Sequence, residues 1–139
     1  MAEFSIESNG RIEKTAIYYN GEQLRGVQEI VLNLDENGAF DAVLQYMGSD
    51  KTVHTKQVFT DYLDDVQTME ASFSEEEAQS LRLLSVHSDG AIEGSSVFIN
   101  NEEQNGIVRL YVHIKINEEF KAEITFREED GTLTTEGVF

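Results

Sequence analysis

Slid along itself by 80 residues, the sequence aligns residues 5–55 with residues 85–135 without a gap. The identical pairs are Ser5/Ser85, Ser8/Ser88, Gly10/Gly90, Ile12/Ile92, Glu13/Glu93, Asn20/Asn100, Glu22/Glu102, Gly26/Gly106, Asn37/Asn117, Phe40/Phe120, Ala42/Ala122, Asp50/Asp130, Thr52/Thr132 and Thr55/Thr135. Fourteen of 51 positions agree, where chance at ordinary residue frequencies gives about three. Between the identities, apolar residues replace apolar residues at the same phase, as in Ile17/Val97, Ile30/Leu110, Leu32/Val112, Leu44/Ile124 and Tyr46/Phe126. The expected organisation is therefore one domain built from two β units, residues 1–55 and 81–139, joined by a connector at 56–80. A lone unit of about 50 residues without disulfide or metal would be marginal, so a shared core is expected.

Within each unit the hydrophobic period is two. Ile30, Leu32 and Leu34 fall on one face, followed by Phe40, Ala42, Leu44 and Tyr46. In the second unit Leu110, Val112, Ile114 and Ile116 face inward and Arg109, Tyr111, His113 and Lys115 outward. Asn-Gly or Asp-Gly at 20–21, 37–38, 105–106 and 130–131, with Asn9-Gly10 and Asp89-Gly90, supplies the positive φ angles of tight turns. The fold class expected is all-β, mainly antiparallel, as an internally duplicated β-sandwich or a flattened barrel, with the two units related by a pseudo-two-fold and packed face to face. The connector breaks the alternation. Ser74 and Glu77 form a capping-box pattern, which predicts one short helix over residues 75–82.

Charge limits the partners. Twenty-seven acidic against ten basic residues give a formal charge of −17, so neither nucleic acid nor an anionic membrane surface is an expected ligand. The connector is the most acidic segment for its length, with seven acids and one base in residues 56–80. There is no cysteine, hence no disulfide, thiolate nucleophile or thiolate zinc ligand. No run approaches the length of a membrane span, and the start Met-Ala-Glu-Phe-Ser-Ile-Glu has no signal-peptide character, which predicts a cytoplasmic chain.

No catalytic constellation is legible. His54, His87 and His113 have Thr134, Glu7 and Asn33 as partners under the repeat and lack metal-ligand spacing, so they are expected as solvent-facing strand residues. Asp35-Glu36-Asn37-Gly38 and Glu128-Glu129-Asp130-Gly131 fail the spacing of a calcium loop. Asp61, Asp64 and Asp65 offer at most a weak, nonspecific cation site, and no metal or cofactor is expected.

The stretch Tyr19 to Ile30, echoed by Asn100 to Leu110, resembles the turn of small uncharacterised β modules of bacterial and phage genomes. That resemblance implies no activity and is compatible with a phage-encoded chain.

The function expected is a non-catalytic protein-binding or structural module, self-association included, with Tyr18, Tyr19 and Tyr111 as aromatic anchors. One alternative is an acidic, phosphate-mimicking inhibitor of a nucleic-acid-binding protein, carried by Asp61, Asp64, Asp65, Glu75 and Glu76. Another is a small-molecule binder with its cavity between the units.

Overall fold

Alternation in the sequence becomes alternation in burial. Along Val27–Asp35 and Ile107–Lys115 the residues at every second position, Ile30, Leu32 and Leu34 and again Leu110, Val112 and Ile114, lie inside, while their neighbours face out. Ile116, read as the next inward position, falls beyond its strand end and is exposed.

The computed structural model describes residues 2–139. Its strands in chain order are β1 (Ala2–Ser8), β2 (Ala16–Tyr19), β3 (Glu22–Arg25), β4 (Val27–Asp35), β5 (Phe40–Met47), β6 (Val53–Gln57), β7 (Gln67–Met69), β8 (Arg82–Ser88), β9 (Ser96–Ile99), β10 (Glu102–Glu103), β11 (Ile107–Lys115), β12 (Glu119–Arg127) and β13 (Leu133–Gly137). One helix, α1 (Glu75–Ala78), stands between β7 and β8. Every strand of residues 2–57 returns 80 positions later, and β1, β2, β4 and β6 return at identical bounds in β8, β9, β11 and β13. The 3-10 turns Ile12–Lys14 and Ile92–Gly94 keep the same offset. Only β7 and α1 have no counterpart.

Two antiparallel sheets form an open sandwich, not a closed barrel. One runs β10-β9-β8-β1-β2-β3-β7, the other β13-β12-β11-β4-β5-β6. Each half thus contributes to both sheets, and the halves join side by side, not face to face as the sequence suggested. The joins are symmetric. β1 and β8 pair about Ser5↔Ser85, with Ala2↔Ser88 and Ser8↔Arg82 at equal offsets on either side. β4 and β11 pair about Leu32↔Val112 in the same manner. Edge-to-edge joining satisfies the backbone groups of four strands that stacked, separate units would have left as open edges.

Side chains from both halves build one apolar core, including Phe4, Ile6, Leu32, Leu44, Leu84, Val112 and Ile124, each at most 1% exposed. Among the described residues, no helix is long and apolar enough to cross a membrane.

The identical residues mostly lock turns. Ser8 Oγ accepts from Gly10 N–H at 3.0 Å and lies 2.8 Å from Thr15 Oγ1; Ser88 repeats this with Gly90 at 2.9 Å and Ser95 at 2.8 Å. Asn20 Oδ1 takes the Glu3 N–H and Asn100 Oδ1 the Leu83 N–H, both at 2.9 Å. Asn20 and Gly21 both have positive φ, as the two-residue turn from β2 to β3 requires. The second half places its equivalent turn at Asn100 and Asn101. Asn105-Gly106, read from sequence as a hairpin turn, is instead where the chain leaves one sheet for the other.

The helix is shorter than expected. Its capping box forms, with Glu77 N–H donating to Ser74 Oγ at 3.1 Å and Ser74 N–H to Glu77 Oε1 at 3.3 Å. It nevertheless ends at Ala78, because it buries no residue and Arg82 is already paired with Ser8 in β8.

Candidate functional site

If the shared residues make the scaffold, a site is to be sought where the halves differ. The largest difference lies at the two ends of the sheet that contains β1 and β8. In the first half the chain folds back after β6 and adds β7 to the edge of β3, in the register Gln23↔Met69, Leu24↔Thr68 and Arg25↔Gln67. Gln23 then clamps the segment that follows. Its Nε2 donates to Ser72 Oγ at 2.8 Å and its Oε1 accepts from Ser72 N–H at 2.8 Å, with Met69 Sδ 3.6 Å from the same nitrogen. Gln67 Nε2 donates to the Met47 carbonyl at 3.2 Å. Beyond, Lys14 Nζ lies 5.8 Å from the centre of the Phe73 ring. Under this cover Gln23 and Leu24 are buried, and the space left behind Met69 is about 180 Å³.

The second half offers the same edge without the cover. Glu103 and Gln104 stand where Gln23 and Leu24 stand, and Glu103 is exposed. The equivalent groove is about 320 Å³, floored by Leu34, Ile92, Val97, Ile107 and Leu110 and rimmed by Asp35, Glu36 and Glu103. Its backbone frame matches the first half: Arg127 N–H donates to the Gly106 carbonyl at 2.9 Å, as Met47 N–H does to that of Gly26. The groove therefore lies beside an uncovered sheet edge, β10, and has an apolar floor and an acidic rim.

The residues singled out in the sequence are placed as follows. Asp61 Oδ2 accepts the Gln57 N–H at 2.8 Å, which caps the outer side of β6. Asp64 takes Lys56 Nζ at 3.0 Å on its carboxylate and the Tyr46 hydroxyl at 2.6 Å on its carbonyl. Asp65 accepts from Ser49 Oγ at 3.2 Å, and its side chain joins Asp50 and His54 in a group whose ligand atoms lie within 4.8 Å of one another. His54 Nε2 is 3.0 Å from both Asp50 oxygens. The Asp50 carboxyl is held down to about 2, first by the Thr52 hydroxyl and then by His54. Asp50 is satisfied by Thr52 and His54 and Asp65 by Ser49, and the proximity of Asp65 to Asp50 and His54 replaces the Asp61, Asp64 and Asp65 grouping read from sequence. Glu75 and Glu76 are exposed in the single turn of α1.

The three tyrosines do not form one surface. Tyr18 lies on the outer face of one sheet, donating to Glu7 Oε1 at 2.9 Å, and its phenol is pushed up to about 12 by burial and then by that carboxylate. Tyr19 packs against the core. Tyr111 lies on the other sheet, between Arg109, 4.8 Å from its ring, and Lys121, 5.6 Å away. β7, Gln23 and Glu103 were missed in the sequence. A three-residue strand is too short to show alternation, and the Gln23/Glu103 difference has meaning only once β7 is seen on one edge and not on the other.

The histidines each meet a carboxylate: His54 with Asp50, His87 with Glu3 at 3.3 Å, and His113 with two. His113 Nε2 lies 2.6 Å from Glu29 and Nδ1 2.7 Å from Glu119, bridging β4, β11 and β12. The hydrogen bond that His113 donates to Glu29 raises its pKa most, Glu119 adds to this, and burial works against both. Because the folded value is raised, the stabilisation is fully present below the unfolded value of about 6.5 and is lost as pH rises through the folded value. The stability advantage of the wild-type chain over His113→Gln, measured by urea unfolding, is therefore expected to shrink over the interval above about pH 6.5. An advantage that grows over this interval would refute the assignment.

No protein-family model matches the chain, and comparison with curated proteins and with solved structures likewise gives no match. The class defined by the structure is thus an open two-sheet antiparallel β-sandwich with β10 left as an uncovered edge strand.

Proposed function

We propose that the protein is a non-catalytic protein-binding module, formed by two copies of one unit, with its docking site in the second half. One observation carries this reading: the first half already holds an extended segment, β7 and Ser72, on an edge that the second half leaves open. Added strands gain main-chain hydrogen bonds, and side-chain pockets beside the edge supply selectivity. The matched strand bounds and the symmetric pairings about Ser5↔Ser85 and Leu32↔Val112 support common descent of the halves. The decoy alternative is weakened because Asp61 and Asp64 already serve Gln57 and Lys56 within the chain. Both grooves take side chains from both halves, Leu34 and Glu36 joining Ile92 and Leu110 in one and Ile114 and Ile116 joining Ile17 and Ile30 in the other, and each lies beside an end strand of the sheet that contains β1 and β8 or its neighbour.

The test is capture of partners by the immobilised full chain, followed by amide-exchange mapping of the captured complex. A footprint on residues 102–107 is the expected result. Capture of nothing by a strictly monomeric chain, or a footprint confined to the acidic connector, would overturn the proposal.

A further inference from the structure

The two edges differ in the residue that grips the bound segment, and the difference specifies what the open one accepts. In the first half the Gln23 amide gives one hydrogen bond and receives one: it donates to the Ser72 hydroxyl and accepts from the Ser72 N–H. At the equivalent place the second half carries Glu103. An ionised carboxylate has no proton to give and accepts only. A segment seated there must therefore present two donors at the position of Ser72, its backbone N–H and a donating side chain. The bond to a cationic side chain is the stronger choice, because charge-assisted hydrogen bonds are about twice as strong as neutral ones.

The register supplies the spacing. Met69 pairs with Gln23 and shares its outer face of the sheet, its Sδ 3.6 Å from Gln23 Nε2, three residues before Ser72. The same register places an apolar anchor opposite Glu103, on the outer face beside Phe98, with the donor three residues further on. The residue before the anchor, the counterpart of Thr68 opposite Leu24, faces the larger groove of about 320 Å³ on the other side of the sheet. Asp35, Glu36, Glu102 and Glu103 all stand at or beside the groove in a chain of formal charge −17. An acidic segment is repelled here and a basic one drawn in.

Resting on the protein-binding reading above, we propose that this edge binds an extended, basic segment of another protein, added as a strand to β10, with an apolar anchor and a Lys or Arg three positions after it. The chain's own connector segment Val66–Phe73 does not meet that description, because it carries Ser72 where the edge asks for a positive charge.

The test uses the full chain and two synthetic octapeptides. One has the sequence of residues 66–73, and the other carries Glu70→Lys and Ser72→Lys. Binding is followed by amide chemical-shift mapping and fluorescence anisotropy at low ionic strength. The lysine peptide is expected to bind at least about tenfold more tightly, equivalent to about 1.4 kcal/mol, to shift the amides of residues 102–107 together with Val97, and to weaken as salt is added. Glu103→Gln, on an exposed side chain whose loss leaves folding intact, is expected to remove most of that preference. Equal binding of the two peptides, an unchanged preference in Glu103→Gln, or shifts confined to the connector or to β13 would overturn the inference. Failure of both peptides while a captured protein footprints on residues 102–107 would overturn this chemistry and leave the protein-binding reading standing. Failure of both together with a captured protein that footprints elsewhere would overturn the two alike.

Discussion

Leu44→Ala and Ile124→Ala are each expected to destabilise the protein by about 2–5 kcal/mol, and to lower the midpoint of one and the same unfolding transition. The two positions are 80 residues apart, in β5 and β12, and both side chains are fully buried. Each substitution removes apolar atoms from the core and leaves a cavity that rigid sheet neighbours cannot close. The effect is shared because the core is shared: Leu44 packs in the same cluster as Ile124, Val112 and Leu84. Urea unfolding followed by aromatic fluorescence and by far-UV circular dichroism checks this. Coincident, shifted transitions are expected for both variants. A variant that unfolds in two steps, with one half surviving, would show that the halves have separate cores.

Gln23→Leu and Glu103→Leu, equivalent in sequence position, are expected to differ sharply. In the first, a buried amide that satisfies Ser72 through two hydrogen bonds is replaced by a side chain that makes none. Loss of the two hydrogen bonds, at about 0.5–1.5 kcal/mol each, costs about 1–3 kcal/mol in all, and the segment from β7 to Ser72 should lose protection from exchange. The second replaces an exposed carboxylate on an open edge and should change stability by no more than about 0.5 kcal/mol in either direction. Chemical denaturation of the two variants side by side gives the answer. Equal costs would mean that the two edges are alike after all.

Much of the fold was legible in the sequence. Period-two patterning identified Ile30, Leu32 and Leu34 and their counterparts Leu110, Val112 and Ile114 as inward, and the Asn-Gly and Asp-Gly pairs marked several of the turns. The way the halves meet was not legible. Alternation says which face of a strand is buried and nothing about which strand lies beside it, so β1 and β8 gave no sign that they would pair about Ser5 and Ser85. Charge counting drew attention to Asp61, Asp64 and Asp65, yet counting cannot tell a free carboxylate from one that caps Gln57 or pairs with Lys56. The groove escaped for a further reason. Leu34, Ile92, Gln104 and Leu110 come from distant parts of the chain, and each reads singly as an ordinary sheet residue.

The account depends on a chain whose two halves share a fold and differ at one edge. Gln104 N–H is turned inward to the Val97 carbonyl at 2.8 Å, so alternation turns the N–H groups of Glu103 and Asn105 outward to solvent. The same alternation turns those of Gln23 and Arg25 toward β7. Residue-resolved amide exchange on the free protein measures this contrast directly. Gln23 and Arg25 are expected to exchange at least about tenfold more slowly than Glu103 and Asn105, relative to their intrinsic rates. Equal protection at the four amides, whether all slow or all fast, would contradict the account.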